Sequence, residues 1–97
     1  MLHFFRTQLP PAEVLRVSDE FFPTLPLERT AHTARSRTYS GILGKLVLTV
    51  KMEGGHYTFV QIHTDQIGES RLDRNAKRFF VKLHRVADPS HRLEAAY

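Results

Sequence analysis

A histidine and an aspartate near the end of a predicted strand are the first residues of this sequence that could do chemistry. The stretch HTD places His63 and Asp65 two residues apart, and the alternation of a strand puts both on one side. Imidazole and carboxylate groups are common zinc ligands, and His32 on another predicted strand is a third candidate. Two ligands do not make a site, and no pattern brings His32 to them. We therefore expect no metal and no cofactor.

Three carboxylates, Asp65, Glu69 and Asp73, cluster around the start of the last predicted helix. Such a group could supply a general acid and a base, but carboxylates also cap helices and stabilise their positive ends. The chain has no cysteine nucleophile, no G-x-S-x-G elbow, no P-loop and no G-x-G-x-x-G motif. Helix capping is the favoured role, and we expect no catalytic residues and a protein that is not an enzyme.

The elements that must position these residues give an α+β order of β-α-β-β-β-α. A strand over LHFFRTQ precedes a helix that begins near Pro10 or Pro11 and ends at Pro23. Residues 27–40 favour an exposed strand that bends or breaks, with a bulge or turn easiest at Gly41 and Gly44. The predicted architecture is a curved antiparallel sheet of about four strands with two helices on one face.

The last helix has the clearest pattern in the sequence. Ser70 followed by Asp73 resembles a capping box, and Asp88 with the proline after it ends the helix. The apolar stripe comprises Leu72, Ala76, Phe79, Phe80, Leu83 and Val86. We expect a single domain over residues 1–97, with a tail over 88–97 that frays.

A hairpin is predicted around Gly54 and Gly55, which we interpret as a two-residue turn. In that register Leu48 lies opposite Gln61, and His63 lies opposite Leu46. Phe59, Gln61 and His63 then face the helices, whereas Val47, Val60 and Ile62 lie on the uncovered face. One extra loop residue would invert the faces of the second strand.

This order of elements resembles two known layouts. One is that of helix-grip proteins, which hold a ligand between the sheet and a long C-terminal helix. The other is that of a single repeat of the TATA-box-binding protein. The resemblance is one of layout, and no function follows from it.

Two binding hypotheses lead. The first is a small apolar ligand between the sheet and the last helix, although the same spacing of apolar residues is typical of a plain core. Its candidate ligand-binding residues are Tyr39, Gln61, His63, Phe59, Phe79 and Phe80. The second is a protein partner or a homodimer, formed through the apolar patch of Val47, Val60 and Ile62.

Nucleic acid is the alternative partner, bound through a basic face of the sheet. Its candidate residues are Arg29, Arg35, Arg37, Lys45 and Lys51. The aromatic residues of the hairpin are predicted to lie on the other face, which disfavours this hypothesis. The basic row of the last helix could contact phosphates, but a solvated helix face is its more usual role.

Composition sets the remaining bounds. The chain has 97 residues, of which 41% are hydrophobic and 25% charged, as in ordinary globular domains. Its net charge of +4 is a mild bias toward acidic partners. The lack of cysteine fits a reducing cytoplasm, and neither a signal peptide nor a membrane span is predicted.

Overall fold

The computed structural model describes residues 1–88, which form one five-stranded antiparallel sheet with two helices. In chain order the elements are β1 (Leu2–Thr7), α1 (Pro11–Phe21), a 3-10 turn (Phe22–Thr24), β2 (Leu27–Thr33), β3 (Ser36–Gly41), β4 (Gly44–Glu53), β5 (Tyr57–Thr64) and α2 (Arg71–Ala87). The α+β class is confirmed. The sheet order is β1-β5-β4-β3-β2, so the first strand of the chain pairs with the last. The predicted frayed tail lies, apart from Asp88, outside the described residues.

The sheet has five strands rather than about four because residues 27–40 form two strands. A tight turn at Ala34 and Arg35 separates β2 from β3. The Thr33 hydroxyl accepts a hydrogen bond from the Arg35 backbone N–H at 3.1 Å and lies 2.7 Å from the Ser36 hydroxyl. Threonine and serine side chains stabilise turns in this way. The expected turn between Gly41 and Gly44 is also present, between β3 and β4.

Both helices begin where the sequence predicts. Proline occupies the first position of α1, where a missing N–H breaks no helical bond. In α2 the Ser70 side chain caps the helix by accepting a hydrogen bond from the Asp73 backbone N–H at 3.0 Å. No helix among residues 1–88 is long and apolar enough to cross a membrane.

The predicted hairpin register is wrong by one residue. The loop contains His56 as well as both glycines, so Glu53 pairs with Tyr57, and Leu48 pairs with Ile62. This register buries Val60 and Ile62 in the core. The predicted register would have buried Gln61 and His63 instead. Burial of the apolar side chains therefore determines the register, rather than the preference of two glycines for a two-residue turn.

The core lies between the helices and one face of the sheet. Its most deeply buried apolar side chains come from both helices, the 3-10 turn and the three central strands: Val14, Val17, Phe22, Tyr39, Leu46, Leu48, Val50, Val60, Ile62, Leu72, Ala76, Phe79 and Leu83. Phe22 packs against Phe79 with ring centroids 4.9 Å apart, and Phe5 stacks on Phe80 at 5.0 Å. No helix of residues 1–88 covers the opposite face of the sheet.

Gly41 has no room for a side chain although it is exposed. A Cβ atom there would lie 2.1 Å from the carbonyl oxygen of Pro26, which belongs to the backbone and cannot swing away. We expect Gly41→Ala to lower the free energy of unfolding by about 2–3 kcal/mol, measured by urea denaturation. Gly54→Ala is the control, since its Cβ would meet nothing within 4 Å and only its φ of +66° is unfavourable. A larger loss of unfolding free energy in Gly54→Ala than in Gly41→Ala would contradict the steric explanation.

Candidate binding surface

The uncovered side of the sheet, which we call the open face, is the candidate site. The registers of β1, β5 and β4 place on it Leu2, Phe4, Arg6, Lys45, Val47, Thr49, Lys51, Glu53, Tyr57, Phe59, Gln61 and His63. Three cross-strand rows define its centre. Leu2, His63 and Val47 form one row, and Phe4, Gln61 and Thr49 form the next. Arg6, Phe59 and Lys51 form the third row, so apolar, polar and basic groups alternate over a small area.

Two phenylalanines and two cations form the centre of this face. The rings of Phe4 and Phe59 are 5.4 Å apart between centroids. The Arg6 guanidinium carbon lies 4.9 Å from the Phe59 centroid, and the Lys51 ammonium nitrogen lies 5.6 Å from it. Both distances suit cation–π contacts. The cluster is therefore a preformed aromatic surface with positive charge on either side.

Large apolar side chains remain exposed on the open face. Phe4 exposes 53% of its surface, and Leu2 and Tyr57 each expose 46%. Phe59 and Val47 beside them are half-buried. A contiguous group of exposed apolar side chains with a polar rim is typical of an interaction surface rather than of a solvated sheet.

The charges on the open face partly neutralise each other. Arg6 Nε donates a 2.6 Å hydrogen bond to Glu53, and this hydrogen bond lowers the pKa of the Glu53 carboxyl. Lys45 and Lys51 have no ion-pair partner among residues 1–88. The open face thus carries a modest positive excess.

The predicted ligand-binding residues do not come together. Phe59, Gln61 and His63 lie on the open face, because the register differs from the predicted one. Tyr39, Phe79 and Phe80 are buried on the helix side of the sheet, where Phe22 contacts both Tyr39 and Phe79. The six residues therefore do not line one pocket. The apolar patch predicted from Val47, Val60 and Ile62 also changes, since only Val47 remains on the open face.

The predicted basic face is not assembled either, because Arg29 and Arg37 lie on the helix side and bind Asp19 of α1. Their guanidinium nitrogens lie 3.1 Å and 3.0 Å from its carboxylate, and the Tyr39 hydroxyl donates to it at 2.7 Å. Burial opposes ionisation of Asp19, but the hydrogen bonds from Tyr39 and Arg37 outweigh it and lower its pKa. These two arginines therefore anchor α1 to β2 and β3.

Arg35 lies apart from the other predicted basic residues. It borders a cleft of about 540 Å³ between the start of α1 and the β2–β3 turn. Pro11, Leu15 and Met52 supply apolar walls of this cleft. Of the five predicted nucleic-acid contacts, only Lys45 and Lys51 share the open face.

Asp73 is the most deeply buried charged group that the structure describes. Its side chain is 1% exposed and joins β1, β5 and α2. His3 Nε2 lies 2.8 Å from its carboxylate, Thr64 donates to it at 2.8 Å, and Ser70 donates at 2.6 Å. Burial alone would raise the pKa of Asp73, but the hydrogen bonds from Ser70, His3 and Thr64 outweigh it and lower the pKa to about 2.

This buried cluster has a different order from a catalytic triad. In a triad the histidine lies between the carboxylate and the hydroxyl and removes the hydroxyl proton. Here the carboxylate lies in the middle, and both hydroxyls donate to it. The cap of α2 is the Ser70 hydroxyl, whereas the Asp73 carboxylate holds β1 and β5 against α2.

The three candidate metal ligands are also separated. His63 lies on the open face of β5, and Asp65 accepts hydrogen bonds from the Lys45 backbone N–H and the Gln66 amide. His32 is on β2, which is three strands away from β5 in the sheet. Within residues 1–88 no group of three histidine, aspartate or glutamate side chains could hold a metal ion.

The sequence reading missed the contribution of β1 to this surface. Leu2, Phe4 and Arg6 alternate with His3, Phe5 and Thr7, and this alternation could have assigned the first three to one face. No local pattern, however, indicates that β1 pairs with β5. The chain matches no protein-family model and has no significant match among curated proteins.

Proposed function

We propose that this protein is a binding domain that engages a protein partner through its open face, and that a second copy of the chain is the partner to test first. The exposed Phe4 beside Phe59 carries the proposal. Exposed aromatic side chains at the centre of a patch are typical anchors of protein interfaces. The lack of cysteine agrees with binding in a reducing cytoplasm.

A second copy suits this surface because the open face carries both signs of charge. Arg6 and Lys51 lie near Glu53 at one end of the rows, so a two-fold pairing of two open faces can set cations against carboxylates. The apolar residues Leu2 and Val47 would meet in the same pairing. The open face, which no helix of residues 1–88 covers, would thereby gain a second layer.

A small apolar ligand between the sheet and α2 is less favoured. Phe79 and Leu83 are fully buried, and Phe79 already contacts Phe22. A ligand there would have to displace packed side chains, which costs free energy in a dense interior.

Sedimentation equilibrium from about 1 μM to about 1 mM tests self-association, since this range covers dissociation constants of weak and moderate dimers. We expect a dimer, and we expect Phe4→Ser to weaken it about thirtyfold, or by about 2 kcal/mol, as for an aromatic anchor. The matched control is Ile67→Ser, which removes an apolar side chain that is 96% exposed in the loop before α2. This control should dimerise like the unmodified protein.

A monomer over the whole concentration range would contradict self-association, as would equal weakening of the dimer in both variants.

The second candidate is then single-stranded nucleic acid, with Phe4 and Phe59 as a stacking surface between Arg6 and Lys51. It is less favoured than a protein because Arg29 and Arg37 are bound to Asp19. Phe4→Ser would reduce binding to a single-stranded oligonucleotide in that case.

A further inference from the structure

We propose that the solvent face of α2 is a second binding surface, which contacts the phosphate backbone of a nucleic-acid duplex without reading its bases. The helix carries six basic residues and one acidic residue, whereas the rest of the chain carries eight basic and nine acidic residues. The net positive charge of the protein therefore resides on α2. The inference concerns the side of the domain opposite the open face and is independent of the function proposed for that face.

Five of the basic residues form one stripe, which we call the basic stripe: Arg71, Arg74, Arg78, Lys82 and Arg85. At 3.6 residues per turn they lie within about 80° of the helix circumference, opposite the buried apolar residues. The stripe is about 21 Å long at 1.5 Å per residue. All five side chains are exposed, so they form a straight row of cations directed into solvent.

The basic stripe differs from most arginines of the other elements among residues 1–88, which form ion pairs. On other elements, Arg6 pairs with Glu53, Arg16 pairs with Glu13 and Glu20, and Asp19 binds two further arginines. No member of the stripe forms an ion pair with a carboxylate among residues 1–88. Lys77, which lies outside the stripe, is the helix residue that pairs with Glu69.

The arrangement also acts against the stability of α2. Successive members of the stripe are three or four residues apart, and like charges at this spacing destabilise a helix. Arg71 lies in the first turn, where the positive end of the helix dipole disfavours a cation. Local stability does not explain five such residues in a row, whereas a polyanionic partner does.

A duplex suits the basic stripe better than the other polyanions. Single-strand binders add aromatic side chains on which bases stack, but the two phenylalanines of α2 are buried in the core. A membrane-binding helix inserts apolar residues, but the apolar face of α2 is covered by the sheet. Four of the five cations are arginines, whose planar groups bind phosphate oxygens in pairs.

The test uses the whole protein and a fluorescently labelled DNA duplex of arbitrary sequence, about 20 base pairs long, titrated by anisotropy over a salt series. The logarithm of the association constant is plotted against the logarithm of the salt concentration. If four or five phosphates are contacted, the slope of this plot should be about −4. Replacing Arg74, Arg78 and Lys82 with glutamine should weaken binding at low salt at least tenfold and reduce the slope by about three.

The control variant replaces Arg35, Lys45 and Lys51 with glutamine, which removes the same charge away from α2. It should bind the duplex within about threefold of the unmodified protein, because only long-range attraction is lost. The α2 variant should melt no lower than the unmodified protein, since it removes like-charge neighbours. A loss of binding through unfolding would therefore be recognised.

Three results would overturn the proposal. Equal loss in the two triple variants would mean that binding follows net charge rather than the basic stripe. Much stronger competition by single-stranded DNA than by unlabelled duplex would assign nucleic-acid binding to another surface. Binding to vesicles containing phosphatidylserine, with none to the duplex, would assign the stripe to a membrane surface.

Discussion

Replacing Asp73 with asparagine is expected to lower the free energy of unfolding by about 2–4 kcal/mol at neutral pH, measured by urea denaturation. The carboxylate accepts hydrogen bonds from Thr64 and Ser70 and contacts His3, all within 2.8 Å. An asparagine side chain replaces one carboxylate oxygen with an NH₂ group, which cannot accept a hydrogen bond. A buried hydroxyl of Thr64 or Ser70 would then lose its acceptor. The loss should be large because the site is almost inaccessible to water.

The same carboxylate makes stability depend on pH in a defined window. The pKa of Asp73 is about 2 in the folded protein and 3.8 is its ordinary value, so the folded state favours the ionised form. This contribution is fully present above about pH 4, and it is lost as the pH falls toward 2. The difference in unfolding free energy between the unmodified protein and Asp73→Asn should therefore shrink by about 2 kcal/mol between pH 7 and pH 2.

Glu69→Gln is the matched control for Asp73→Asn. Glu69 is also a carboxylate near the start of α2, but its side chain is 63% exposed and pairs with Lys77 on the surface. Its replacement should change stability by less than about 1 kcal/mol. Equal effects of the two substitutions, or a pH-independent difference for Asp73→Asn, would show that Asp73 does not join β1 and β5 to α2.

Ile62→Lys and His63→Lys are expected to have opposite outcomes although the two residues are adjacent. Ile62 is fully buried and lies opposite Leu48, whereas His63 lies on the open face opposite Val47. A lysine at Ile62 would place an unpaired charge in the core, which should cost more than about 4 kcal/mol and unfold much of the protein. A lysine at His63 should change stability by less than about 0.5 kcal/mol.

This pair of variants tests the hairpin register directly. With a two-residue turn the faces of β5 would be inverted, so His63 would be buried and Ile62 exposed. Circular dichroism melting distinguishes the two registers. A stable Ile62→Lys variant beside an unfolded His63→Lys variant would show that the three-residue loop is wrong.

The helices were predictable from the sequence because their signals are local. The Ser70 cap, the proline at the first position of α1 and the apolar stripe of α2 each act within a few turns of helix. A bend or break within residues 27–40 was expected, but its position was missed because Ala34 and Arg35 are not typical turn residues. A hydroxyl bridge between Thr33 and Ser36 closes that turn instead.

The candidate site was harder to predict because it depends on two non-local facts. One is the register of β5, which depends on whether one residue, His56, belongs to the loop. The other is the pairing of β1 with β5, which brings Phe4 to Phe59 across more than half of the chain. The sequence contains the alternation of Phe59, Gln61 and His63 with apolar residues, but not the face to which each set belongs.

The most direct test of the proposed function is an isotope-filtered NMR experiment that detects contacts between two copies. Carbon-13-labelled and unlabelled protein would be unfolded together, refolded and measured at the highest concentration that stays in solution. We expect intermolecular contacts from the ring protons of Phe4 and Phe59 and none from Val81, which is exposed on α2. Contacts confined to α2, or no intermolecular contacts, would contradict self-association through the open face.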